Sequence, residues 1–288
     1  MLDRPFECHH DDKPPMETTE LTPTDRHPRA KHLIGVMSGK GGVGKSTVAV
    51  NLASALSARG ARVGIVDTDV YGPNVPRMLG LTRKQARSSW TVWKNPAVGT
   101  LRLEPVEVAG LQIMSAGFIA AEGQPIAWSA HWVRMLVKQL IFDTLWSDLD
   151  YLIIDFPPGT GDVHQEVIGS CRLSGVVLVG TPQDVSHLDL QRTLTVITDA
   201  DIPVIAVVEN MSGVTCPDCG THIDLYPRAA AARSTTAALG PVTKLPFDPT
   251  VAWLAEQGRP VVATGEVPEI ERAFIELAEQ VQGSCPAD

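Results

Sequence analysis

The stretch Gly39-Lys40-Gly41-Gly42-Val43-Gly44-Lys45-Ser46-Thr47 constrains this chain more than any other. It meets the phosphate-loop template G-x-x-x-x-G-K-[ST] in full. Leu33 to Met37, just before it, is a short apolar run that reads as a buried strand. Val48 to Leu56, just after it, reads as an apolar-faced helix, and Gly60 follows where a left-handed cap belongs. Glycines let backbone N–H groups turn inward onto phosphate oxygens, with no Cβ in the way. The helix start adds free N–H donors and the positive end of its dipole. In this reading Lys45 reaches the β- and γ-phosphates of ATP, Ser46 gives its hydroxyl to Mg²⁺, and Thr47 faces the α-phosphate.

Lys40 is a second lysine inside the loop, which the general template does not require. Gly39-Lys40-Gly41-Gly42 resembles the deviant phosphate loop of partition ATPases, cell-division positioning ATPases, nitrogenase reductase and scaffold-type iron–sulfur carriers. That resemblance implies a lysine that crosses a homodimer interface to the partner's nucleotide.

The chain has 288 residues, enough to bury a substantial core as one large domain. Its net charge of −9 argues against a generally nucleic-acid-binding surface. No apolar run approaches the roughly 20 residues needed to span a bilayer, and the N-terminus lacks a secretory apolar segment. Five cysteines, two of them in a C-x-x-C pair, suit a reducing cytoplasm and a thiolate site better than a disulfide framework.

Residues 1–31 carry five prolines, mixed charge and little apolar content, and are expected to form a disordered tail. Cys8-His9-His10 in that tail is read as incidental. From there strand and helix signals alternate. Short apolar runs at 62–66, 111–115, 151–154, 176–179 and 204–208 read as buried strands, and 129–147, 184–199, 228–239 and 267–282 read as helices. Such alternation predicts an α/β fold, a mostly parallel sheet flanked by helices on both faces, over residues 32–283. Residues 284–288 are expected to be a tail. In such sheets ligands sit beyond the C-terminal ends of the strands. Residues 81–103 hold Arg83, Lys84, Arg87, Lys94 and Arg102 beside Trp90 and Trp93. Basic residues among aromatics can bind nucleic acid; given the acidic whole, we read this stretch as a surface hairpin.

Asp155 closes a buried strand and opens Asp155-Phe156-Pro157-Pro158-Gly159-Thr160-Gly161-Asp162. An acid there can hold Mg²⁺ through its water shell, and the segment after it can sense the γ-phosphate as a switch. Asp69, in Asp67-Thr68-Asp69, is placed to orient the attacking water, whereas Asp67 reads as a strand-end cap. Lys40 in trans would act like an arginine finger. Asn210 offers an amide donor and acceptor to one base edge and is the adenine-reading candidate, with a strand-closing turn as the alternative.

Cys216-Pro217-Asp218-Cys219-Gly220 is a compact knuckle whose sulfurs can point at one metal. Two thiolates complete neither a tetrahedral zinc site nor a four-thiolate cluster. Cys8, Cys171 and Cys285 offer no second pair. A symmetric dimer that brings two knuckles together is the simplest completion.

Taken together, these stretches resemble the Mrp/ApbC-type iron–sulfur cluster carrier ATPases, within the MinD/ParA-like phosphate-loop NTPases. The matching segments are Gly39 to Thr47, Asp67 to Gly80, Asp155 to Val163, Thr181 to Val185, Val208 to Ser212 and Cys216 to Gly220. The resemblance implies an ATP-hydrolysing homodimer that holds a [4Fe–4S] cluster between two C-x-x-C pairs and passes it to apo iron–sulfur proteins. Three departures stand out. The chain has neither the extra N-terminal domain of many bacterial members nor a four-cysteine N-terminal site. Tyr226 to Arg233 stands where a glycine-rich run is usual. Trp128-Ser129-Ala130-His131 replaces tryptophan-arginine-glycine-proline. Competing readings are a partition or positioning switch ATPase, which needs no Cys216 or Cys219, and a zinc-stapled ATPase without cluster transfer. An electron-donating reductase would want a cysteine soon after Gly161-Asp162-Val163, where His164 and Gln165 stand.

Overall fold

The computed structural model describes residues 28–81, 92–94, 101–118, 129–183, 188–216, 218–226, 239–262 and 264–286. The strands in chain order are β1 (Ala30–Met37), β2 (Val63–Asp67), β3 (Val92–Lys94), β4 (Leu101–Leu103), β5 (Val106–Val108), β6 (Leu111–Ser115), β7 (Leu149–Asp155), β8 (Gly175–Gly180), β9 (Val204–Asn210), β10 (Val214–Thr215), β11 (His222–Ile223) and β12 (Val242–Leu245). The helices are α1 (Lys45–Ala58), α2 (Val75–Met78), α3 (Ala130–Phe142), α4 (Asp162–Ser170), α5 (Leu188–Asp199), α6 (Pro249–Glu256) and α7 (Pro268–Ser284).

Eight strands form one sheet in the order β12-β9-β8-β1-β7-β2-β6-β5, parallel throughout except for the edge strand β5. The central strands β2, β7 and β8 are buried along their whole length, which is why they read as continuous apolar runs rather than alternating ones. The crossover from β1 to β2 and that from β7 to β8 run in opposite directions along the sheet. Right-handed connections therefore put α1 and α4 on opposite faces. No helix among the described residues is long and apolar enough to cross a membrane.

Local chemistry explains the helix ends. Asp248 caps α6, its Oδ1 accepting from Thr250 N at 2.8 Å, with Pro249 in the first turn. In α7, Glu269 and Glu271 sit in the first turn, where the helix dipole favours negative charge. Ile270, Phe274, Leu277 and Val281 recur at helical spacing and are buried. Each such side chain contributes about 1.5–3 kcal/mol of burial.

One expected boundary shifts. β1 begins at Ala30, not after residue 31, because Leu149 at the head of β7 offers a backbone partner and Asp150 pairs with Lys31 Nζ at 3.3 Å. Within the expected C-terminal tail, Cys285 and Pro286 are held against the sheet. Tyr151 Oη donates to the Cys285 carbonyl at 2.6 Å, and His32 Nε2 donates to Pro286 O at 2.9 Å. The backbone of β3 and β4 forms the hairpin expected within 81–103. The N-terminal segment through residue 27, Trp90 and the expected helix at 228–239 lie outside the described residues, apart from Leu239.

Candidate nucleotide site and cysteine knuckle

The loop from Ser38 to Gly44 joins the end of β1 to the first turn of α1. Gly42 and Gly44 take φ values of +79° and +87°, conformations a side chain resists. Ser38 Oγ donates to Lys40 O at 3.0 Å, and Gly159 N donates to Ser38 O at 3.1 Å, so the 155–162 segment braces the loop from below. Lys40, Gly41 and Gly42 are exposed, whereas Lys45 is buried. Ser46 and Thr47 open α1 and are partly exposed.

Strand register gathers the acids. Asp155 lies opposite Val36 on β1 and opposite Asp67 on β2, which sets its carboxylate beside the root of the loop. Lys45 Nζ donates to Asp155 Oδ1 at 2.6 Å and lies 3.4 Å from Ser46 Oγ. Burial pushes the Asp155 carboxyl up, and the Lys45 ammonium and the Ser46 hydroxyl pull it back. Its other oxygen, Oδ2, is buried without a hydrogen-bond partner. A hard cation suits such an oxygen next to a serine hydroxyl, so the residues present fit Mg²⁺.

Asp67 is more than a strand-end cap. Its carboxylate accepts from Asp69 N at 3.1 Å, Ser115 Oγ at 3.1 Å and Val75 N at 3.3 Å. Burial, then the neighbouring Asp155 charge, pushes its carboxyl up to about 8. Asp69 is partly exposed, and its Oδ1 accepts from Tyr71 N and Gly72 N, shaping the turn that carries it. His164, in the first turn of α4, stacks on Phe156 at 4.9 Å with neither ring nitrogen hydrogen-bonded. Burial depresses its pKa to about 4, so the ring is neutral.

Asn210 ends β9 and turns its amide back onto the loop. Its Nδ2 donates to Val43 O at 2.8 Å. A Cβ at Gly44 would collide with that same amide nitrogen, so the last glycine of the loop is required by packing as well as by φ.

The knuckle grows out of the same strand end. β10 pairs antiparallel with β11, matching Val214 to Ile223 and Thr215 to His222. Cys216 N donates to Thr221 O, and Gly220 N donates to Cys216 O, both at 2.9 Å, with Gly220 at φ +70°. Cys216 is half-buried and Cys219 exposed. Cys219 Sγ lies 3.2 Å from Thr221 Oγ1, and the hydroxyl and amide of Thr221 lower the Cys219 pKa. Among the described residues no third Cys, His or acidic side chain joins the pair in a metal-ligating group. Cys171 and Cys285 are buried elsewhere, and burial drives the Cys171 thiol up to about 12.

Comparison with known proteins decides the family. A family model described as the NUBPL iron-transfer P-loop NTPase, of the ParA type, matches residues 29–282. The chain belongs to that family. An iron–sulfur cluster carrier protein of Pyrococcus abyssi is 38% identical over 264 residues, covering 89% of this chain and 88% of the relative. One of Methanocaldococcus jannaschii is 35% identical over 261 residues, covering 87% of this chain and 86% of the relative. A nucleotide-binding protein from Archaeoglobus fulgidus, solved with ADP, superposes with a TM-score of 0.66 at 31% identity, covering 80% of this chain and 88% of that one. The septum site-determining protein MinD of Pyrococcus horikoshii shares the fold, with a TM-score of 0.61 at 22% identity over 87% of this chain and 95% of that one.

For a member of this iron-transfer P-loop family, the fold brings Lys45, Ser46, Asp155 and Asn210 to one end of the sheet, and roots Cys216 and Cys219 at the same end. Sequence reading missed Asp67 and His164 as buried neighbours of the loop. The available signal was Asp67 standing two residues before Asp69 at a strand end, but only the β2–β7 register reveals that it faces Asp155.

Proposed function

We propose that this chain is an ATP-dependent carrier of iron–sulfur clusters that works as a cytoplasmic homodimer. ATP is the substrate of the loop. Lys45 holds its β- and γ-phosphates, and the N–H groups from Gly41 to Thr47 cradle the phosphate oxygens. Ser46 and Asp155 would hold Mg²⁺, which neutralises phosphate charge when bound. Asp69 orients the attacking water, Lys40 of the facing subunit stabilises the transferred phosphoryl charge, and Asn210 reads the adenine edge.

The observation that carries the proposal is the knuckle. Two cysteines, one with a lowered pKa, sit on a turn rooted at the nucleotide end of the sheet, without a third ligand among the described residues. Two copies supply the four thiolates that a [4Fe–4S] cargo needs. The names of the relatives support cargo of this kind. Apo iron–sulfur proteins are then the recipients.

The test is iron, sulfide and zinc content with an absorption spectrum, on protein purified without oxygen and reconstituted with iron and sulfide. Four irons and four sulfides per dimer, lost in Cys216→Ala, are expected. Stoichiometric zinc without cluster would replace the proposal with a zinc-stapled ATPase. Protein without any metal would replace it with a switch ATPase of the positioning type.

A further inference from the structure

We infer that Asn210 is a positioning residue that ties the phosphate loop to the root of the cysteine knuckle, so that nucleotide at the loop and the reactivity of Cys216 and Cys219 are coupled. The inference rests on the proposed nucleotide reading of the loop and goes beyond it.

A phosphate loop aims its N–H groups inward, so its carbonyls face the surrounding protein and need donors there. Val43 is buried, and its carbonyl takes its hydrogen bond from Asn210 Nδ2 at 2.8 Å. The contact joins residues 167 apart in the chain, and the absence of a Cβ at Gly44 makes room for it. Any movement of the Val43 peptide therefore meets Asn210 directly.

Five residues separate Asn210 from Cys216, and they hold little slack. Met211 takes a left-handed φ of +57°, a conformation that a long side chain rarely adopts and that sets the direction of the chain leaving β9. Ser212 N then donates to Leu245 O at 2.9 Å, and Phe247 N donates to Gly213 O at 2.8 Å. Val214 and Thr215 are paired in β10, and Cys216 N is held by Thr221 O. Ser212 and Gly213 are buried. A segment pinned at this many successive positions transmits a displacement at its root rather than absorbing it.

The experiment uses the full chain, free of metal. Alkylation of the peptide that contains Cys216 and Cys219 is timed by mass spectrometry, without nucleotide and with saturating Mg-ADP. Nucleotide binding is measured separately by calorimetry. In the wild type, ADP is expected to change the alkylation rate by about fivefold or more, the lower end of ordinary coupling between sites. In Asn210→Ala and Asn210→Asp, each at its own saturating ADP, the ratio of the two rates is expected to approach one. Asn210→Asp keeps the size of the side chain and loses the donor, and thermal melting reports whether each variant folds. A purely structural role would alter the rates with and without ADP together and leave their ratio in place. A role confined to the adenine would weaken binding and also leave the ratio at saturation. Either of these outcomes overturns the inference, as does a wild type that binds ADP without any change in rate. A wild type that binds no nucleotide overturns the proposed function itself, and the calorimetry shows that failure separately.

Discussion

Lys45 and Asp155, 110 residues apart, form a buried ion pair at 2.6 Å, the lysine side chain 7% and the carboxylate 0% exposed. Each charge compensates the other in a place where water cannot. For Lys45 to hold phosphate it must leave Asp155, whose carboxylate then needs another cation. Ser46 beside it and the unpartnered Oδ2 make Mg²⁺ the natural replacement. Under the proposed function, nucleotide and metal binding would amount to an exchange of partners around Asp155.

Lys45→Ala should abolish productive ATP binding and lower stability at neutral pH by roughly 3–5 kcal/mol, the usual cost of leaving one partner of a buried pair. Without the lysine the folded pKa of Asp155 lies further above its unfolded value. The folded state then takes up a proton on acidification, so the deficit should shrink as pH falls. Urea titrations across acidic and neutral pH, with a nucleotide-binding assay, check both parts. Unchanged ATP affinity would remove Lys45 from the site.

Lys40→Ala should retain nucleotide binding and lose hydrolysis on the order of 10³-fold or more, by analogy with a finger supplied in trans. Mixing Lys40→Ala with Lys45→Ala should restore turnover in the mixed dimer, because the second subunit still offers Lys40 to the intact loop of the first. Phosphate release on mixing is the readout. No recovery would place Lys40 in its own subunit's site.

Asp67→Asn should stabilise the nucleotide-free protein above about pH 8. The folded carboxyl titrates at about 8 and the unfolded one near 3.8. The folded state therefore keeps a proton across that window that the unfolded chain gives up. This group's contribution is greatest below the window and is lost as pH rises through it. Each kcal/mol recovered should raise the melting temperature by about 2–4 °C for a chain of this size. Melting curves at acidic and alkaline pH test the sign, and equal effects at both ends would refute it.

Thr221→Val should raise the pKa of the Cys219 thiol, since the Thr221 hydroxyl is the largest influence lowering it. Alkylation of Cys219 at neutral pH should slow as the thiolate fraction falls. The rate against pH, followed in the metal-free protein, should shift to higher pH for Cys219.

Tyr151→Phe should cost about 1–3 kcal/mol by leaving the buried Cys285 carbonyl without its donor. It should also expose Cys285 to thiol reagents. A melting temperature and a Cys285 labelling rate both equal to wild type would mean that the C-terminal segment docks independently of this bond.

The local chemistry of this protein is legible in consecutive residues. The loop from Gly39 to Thr47 has its glycines, its lysine and its hydroxyls within nine positions, and the knuckle has both sulfurs within four. The parallel sheet is legible too, because strands buried on both faces can be built only from unbroken apolar runs such as Leu152 to Ile154 and Val176 to Val179. That same uniformity hides the register. Without alternation along a strand, nothing in the sequence says which residue of β2 faces which residue of β7. Tertiary structure alone therefore decided that Asp67 lies beside Asp155, that Lys45 reaches Asp155, and that Asn210 grips Val43 from 167 residues away. Short-range motifs are set by covalent spacing, whereas these contacts exist only once the sheet has chosen its order and its register.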